Sequence, residues 1–151
     1  VDDLFGQVAA LGGNIEGVTI TGGEPLEQCA GLLPLLQRIR RETPLSVLVF
    51  TGFTWEELQS RPAFLPGFRP EILSYVDLLL AGRFTTRPAA SPGLSGLEHK
   101  TCHFLSSRYA AKDLTTVAPA EALIRPDGTI LYSGLQPPRT AQGVGLAPRR
   151  D

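Results

Sequence analysis

The chain has 151 residues, 42% of them hydrophobic, with 14 Lys+Arg against 15 Asp+Glu for a net charge of −1. That length and apolar content suit one domain with a real core. The near-neutral balance removes any general electrostatic drive toward nucleic acid or an anionic membrane.

The apolar runs at 47–50 and 76–81 are too short to span a bilayer, and Asp2 and Asp3 stand where a signal peptide would be basic. Cys29 and Cys102 are the only cysteines, so there is no disulfide framework and the expected compartment is cytoplasmic. The chain contains no Met, which leads us to expect a piece of a longer protein. Its 16 glycines and 13 prolines exceed ordinary usage, so the domain should be rich in loops.

In chain order, Leu4, Phe5, Val8, Ala9 and Leu11 recur at helical spacing and predict a helix over 2–11, stopped by Gly12-Gly13-Asn14. Residues 17–21 are a short β-branched run, the composition of a buried strand, and it breaks at Gly22-Gly23-Glu24-Pro25. A helical stretch follows over 26–42. Pro34 predicts a break near Gly31 and a main helix starting close to the proline. Residues 46–50 form a second strand ending in Thr51-Gly52-Phe53. Thr54-Trp55-Glu56-Glu57 then has the S/T-x-x-E form that opens a helix.

Residues 61–70 read as a loop, 71–75 as a short helix, and 76–81 as a third strand ended by Gly82-Arg83-Phe84. Residues 85–96 carry no periodicity, and 102–106 read as a strand. Pro126-Asp127-Gly128 between two apolar runs predicts a hairpin. The tail over 138–151 is rich in Pro, Gly and Arg and should fray.

Helix and strand thus alternate through the first two-thirds, which implies a mostly parallel sheet with right-handed crossovers. Ligands of such sheets sit at the carboxyl ends of the strands. The turns at 21–24, 51–53 and 82–84 all fall on that edge.

In Thr21-Gly22-Gly23-Glu24-Pro25, two glycines allow a sharp turn and close approach of a ligand to the backbone. Pro25 stiffens the chain after Glu24. A carboxylate beside exposed carbonyls accepts hydrogen bonds from a cation such as an amine. A phosphate cradle would need converging N–H donors and no fixed acid. The plainer alternative is a connecting turn with an exposed Glu.

Residues 17–28, GVTITGGEPLEQ, closely resemble the GGEP segment of radical S-adenosylmethionine (SAM) enzymes, above all the small activating enzymes of anaerobic ribonucleotide reductase. The resemblance continues through VLVFTGFTWEEL at 47–58, VDLLLAGRF at 76–84 and RPDGTILYSGLQP at 125–137. It implies that Thr21, Gly22, Gly23, Glu24 and Pro25 bind the amino group of SAM, with Thr51 and Gly52 on the neighbouring wall. It also implies a [4Fe–4S] cluster, a 5′-deoxyadenosyl radical made by SAM cleavage, and hydrogen abstraction from a glycine of a glycyl radical enzyme partner. An electron donor would then serve the cluster.

This chain departs from the family at two places. The three closely spaced cysteines that hold the cluster are absent, so the expectation is a family member lacking its first strand and cluster loop, inactive alone. At 95–100, SGLEHK stands where relatives carry an R-G-S-x-N-Q-like run, and only Gly96 is kept.

His99, Cys102 and His103 form a small group of possible metal ligands, too few for a zinc site, and packing is the simpler reading. Cys29, beside Ala30, Leu32 and Leu33, reads as core, and Trp55 reads as packing.

The expected fold is α/β, an incomplete (β/α) barrel of the radical SAM type with a mostly parallel sheet and a C-terminal β-hairpin. A single domain over 1–137 is followed by a tail over 138–151. Two rival functions remain: a cluster-less partner-binding domain of the same ancestry, and an unrelated α/β module that binds phosphate at its strand ends.

Overall fold

A computed structural model describes residues 1–60, 65, 67–83, 100–114, 120–124 and 129–134. Helix α1 runs Asp2–Leu11 and ends at Gly12, which carries a positive φ. Strand β1 is Gly17–Ile20. A 3-10 turn at Pro25–Gln28 leads into α2, Cys29–Glu42. Strand β2 is Ser46–Thr51, α3 is Trp55–Gln59, and a second 3-10 segment at Pro70–Tyr75 precedes β3, Leu78–Ala81. Strand β4 (Thr101–Phe104), helix α4 (Ala111–Leu114) and strands β5 (Ala120–Ile124) and β6 (Ile130–Gly134) follow.

The main sheet has four strands in the order β1-β2-β3-β4. The first two pairings are parallel and β3–β4 is antiparallel. It is a mostly parallel, open sheet, and among the described residues it does not close into a barrel. Strands β5 and β6 pair antiparallel in a separate two-stranded sheet. The Pro126-Asp127-Gly128 turn expected between them lies outside the described residues, as do the 85–96 segment, His99 and the 138–151 tail.

Sequential parallel strands joined by right-handed crossovers place their connections on one face, and the core lies there. Val47 and Val49 of β2 and Leu79 and Ala81 of β3 pack with Phe5, Leu32, Leu36, Ile39, Leu58 and Ile72. Because side chains alternate along a strand, Leu48, Phe50, Leu78 and Leu80 point to the other face. The register sets Leu48 beside Leu78 and Leu78 beside Phe104. Leu78 is buried there outside the main core cluster, while Phe104 is 37% exposed.

Two sequence expectations need correction. Pro34 does not break the second helix, since α2 runs continuously through it. Ala30, whose carbonyl the proline leaves without its usual donor, is exposed, as is Pro34 itself. Buried Cys29, Leu32, Leu33, Leu36 and Ile39 anchor the helix on both sides of that point. The third strand begins at Leu78, two residues later than expected, because Asp77 turns its carboxylate into a polar cluster.

At β1, Gly17 runs so close to β2 that a Cβ there would lie 2.0 Å from Ser46 Oγ, which explains a glycine in an otherwise β-branched run.

Candidate functional site

The site is built from the carboxyl ends of the three parallel strands. After β1 the chain turns through Gly22, whose φ of 117 is a backbone conformation natural only to glycine. Pro25 at the start of the 3-10 turn is buried, and Glu24 caps that turn by accepting from Leu26 N at 3.0 Å. The same oxygen, Oε1, accepts from Thr51 Oγ1 at 2.8 Å, and Oε2 accepts from Gly52 N at 2.7 Å. One carboxylate therefore ties the end of β1 to the end of β2. A carboxylate offers about four lone-pair positions, and these three bonds leave room for one further donor.

Thr51 is only 2% exposed, and its hydroxyl oxygen also accepts from Phe53 N at 3.1 Å. Its side chain is thus spent on the turn and on Glu24. The capping box expected at Thr54 is present: Thr54 Oγ1 accepts from Glu57 N, and the Glu57 carboxylate accepts from Thr54 N. It holds α3 directly after the turn.

Two cations complete the edge. Lys100 Nζ donates to Thr51 O at 3.0 Å and to Gly82 O at 2.6 Å. Burial pushes its ammonium below the ordinary lysine value, and the nearby Glu24 charge pulls it back up. Arg83 donates to Gly52 O and to Glu57 Oε1, and its guanidinium sits 5.4 Å from the Phe53 ring centroid. The carbonyls of Thr51, Gly52 and Gly82 are thus all occupied by this chain's own cations. Among the described residues, no donor bonds the carbonyls of Gly22 or Gly23. A Cβ built on Gly22 would meet nothing within 4 Å.

The seven residues expected at the site divide accordingly. Glu24, Thr51 and Gly52 are bonded together. Thr21, Gly22 and Gly23 are exposed beside them, and Pro25 is a buried support. Lys100 and Arg83 were not among them. Arg83 follows the Gly82 turn directly, so the strand-end pattern itself could have pointed to it. Lys100 carried no such signal, because its partners lie far back in the sequence across an aperiodic stretch.

The remaining candidates are structural. Cys29 is buried, and its thiol donates to Leu26 O. Cys102 and His103 point to opposite faces of β4, as neighbouring strand residues do. His103 stacks on Trp55 with ring centroids 4.3 Å apart and bonds Thr101 Oγ1 at 2.6 Å. Among the described residues, no group of three or more His, Cys, Asp or Glu could hold a metal ion.

Residues 6–96 match the family model described as a 4Fe-4S single cluster domain. The chain belongs to the 4Fe-4S single cluster domain family. Membership agrees at a coarse level with the radical SAM, iron–sulfur resemblance of the GGEP and TGFTWEEL segments. No curated protein and no solved structure matches the chain. No helix among the described residues is long and apolar enough to cross a membrane.

The family's cluster does not fit the residues present. Three or four thiolates are needed close together. This chain has two cysteines, one sealed in the core and one on a sheet face. The turn after β1, with unclaimed carbonyls beside a carboxylate, is a set of acceptors suited to an amine.

Proposed function

We propose that this chain is the SAM-orienting part of a radical SAM protein of the activating-enzyme type, and that the turn after β1 receives the methionine amine. SAM, when bound in such a protein, supplies the adenosyl group for radical chemistry. This chain's own contribution is binding and orientation. Gly22 O and Gly23 O accept from the amine, and the remaining lone pair of Glu24 takes a third N–H. The backbone at Gly22 admits the ligand because no side chain stands there.

One observation carries the reading: the carbonyls of Thr51, Gly52 and Gly82 already accept from Lys100 or Arg83, whereas among the described residues no donor bonds those of Gly22 and Gly23. A cationic amine is thereby directed to the end of β1. The proposed setting is cytoplasmic, with a glycyl radical enzyme as the protein partner and a separate electron donor.

The family's cysteine requirement favours a second reading, a cluster-less domain of the same ancestry that binds a partner. Isothermal titration with SAM separates the two. The orienting reading expects saturable binding. It also expects a loss of about tenfold to a hundredfold in affinity for Glu24→Gln, the equivalent of losing a charge-assisted hydrogen bond of roughly 1.5–3 kcal/mol. Glu24→Gln also sets an NH2 group against one of the donors that Glu24 now accepts, so its thermal midpoint should fall. Absence of SAM binding at millimolar concentration by the wild-type chain would leave the partner-binding reading.

A further inference from the structure

Lys100 is an unusual residue to find at a strand-end edge. Its ammonium is partly withdrawn from water, where it donates to two main-chain carbonyls, one from the turn after β2 and one from the turn after β3. A lysine ammonium has three donors and is strongly hydrated. Spending two of them on the carbonyls of two buried residues, Thr51 and Gly82, calls for a role. The bonded chain beyond it supplies one. Thr51 O accepts from Lys100, Thr51 Oγ1 donates to Glu24 Oε1, and the next amide, Gly52 N, donates to Glu24 Oε2. Lys100 therefore grips the Thr51–Gly52 peptide group, whose N–H, with the Thr51 hydroxyl beside it, holds the Glu24 carboxylate.

We propose that Lys100 is a positioning residue for Glu24: by tying Thr51 O to Gly82 O it fixes the Thr51–Gly52 segment that holds the carboxylate. It has a second effect on the same site. By occupying Thr51 O and Gly82 O it removes two acceptors that would compete with the turn after β1 for a cationic amine. Arg83 acts in parallel on Gly52 O. The amine is thus confined to one place by what the other turns already bind. The part of this inference that concerns ligand binding rests on the SAM-orienting reading; the part that concerns the geometry of Glu24 does not.

The test compares the wild-type chain with Lys100→Met, Lys100→Arg, Glu24→Gln and the double variant Lys100→Met/Glu24→Gln. Two readouts are needed. The first is hydrogen exchange of the Gly52 amide, which reports the bond to Glu24 without any ligand. The second is SAM affinity by titration. Lys100→Met should speed Gly52 exchange and weaken SAM about tenfold, as expected for loss of a hydrogen-bonded charge. Lys100→Arg, which keeps a cation able to span two carbonyls, should restore most of both. The double variant should bind SAM no more weakly than Glu24→Gln alone, because a residue acting through Glu24 adds nothing once Glu24 is altered.

Unchanged Gly52 exchange in Lys100→Met overturns the proposal, as do affinity losses that add in the double variant. If wild type does not bind SAM, the SAM-orienting reading falls, and Gly52 exchange alone decides the role of Lys100. Should Lys100→Met fail to fold, Lys100→Gln, which can reach one carbonyl, replaces it under the same criteria.

Discussion

The most buried charge in the described residues lies at the opposite edge of the sheet from the site. Asp77 is fully buried, and its carboxylate accepts from Val47 N at 2.9 Å, Ser106 Oγ at 2.5 Å and Arg40 at 3.1 Å. Burial pushes its pKa up, but these donors outweigh burial and hold the carboxyl below its ordinary value. A depressed folded pKa stabilises the protein above the unfolded value of about 3.9, and that stability is lost as pH falls through the folded pKa. Asp77→Asn should cost about 2–3 kcal/mol at neutral pH, below the roughly 3–5 kcal/mol of a fully buried broken pair because Arg40 still reaches water. Its acid unfolding curve should also flatten below pH 4. Denaturant unfolding across pH checks both expectations, and an unchanged acid limb would deny Asp77 this role. The sequence did not reveal this residue, because Asp77 stands inside an apolar run that reads as plain strand. The turn that carries Glu24 was legible, because its glycines and proline are sequence neighbours, but the Glu24 bonds to Thr51 and Gly52 were not. Lys100 and Asp77 were not, because each is defined by partners brought in by folding.

At the scale of elements, the turn after β2 and the capping box at Thr54 follow from local rules, since each contains a bond closed within about four residues. The proline of α2 shows where local rules lose. A proline inside a helix removes one hydrogen bond and crowds the preceding turn, at a cost of about 3 kcal/mol. Apolar contacts of α2 with the sheet outweigh that cost, so the helix continues. Pro34 is exposed and makes no part of the core. Pro34→Ala should therefore stabilise the chain by about 1–3 kcal/mol. Thermal unfolding of the two proteins measures it, and a lower midpoint in Pro34→Ala would mean that the ring packs against something the helix needs. The direction of β4 was likewise not legible. An isolated apolar run predicts a strand, but whether it runs parallel or antiparallel depends on the path of the aperiodic stretch before it.

Across the whole molecule, one physical division organises the sheet. Its amino-terminal edge carries the Asp77 network and a cavity of about 560 Å³ lined by residues including Glu16, Ser46, Arg108 and Tyr109. Tyr109 closes part of it, its hydroxyl lying 2.7 Å from both Glu16 Oε1 and Ser46 Oγ. The carboxyl-terminal edge carries Glu24, Thr51, Gly52, Arg83 and Lys100, with the carbonyls of Thr51, Gly52 and Gly82 bonded by the two cations. The alternation of helix and strand points to that edge as the place for a ligand. Which turn on that edge stays open depended on where Lys100 and Arg83 reach, and only the folded chain fixes that. The central claim, that an amine is received at the turn after β1, is tested most directly by following backbone amide NMR shifts while SAM is titrated into the wild-type chain. The account predicts saturable shifts concentrated at Thr21, Gly22, Gly23, Glu24 and Gly52. Shifts centred on Ser46, Arg108 and Tyr109 at the other edge, or no saturable shifts at all, would contradict it.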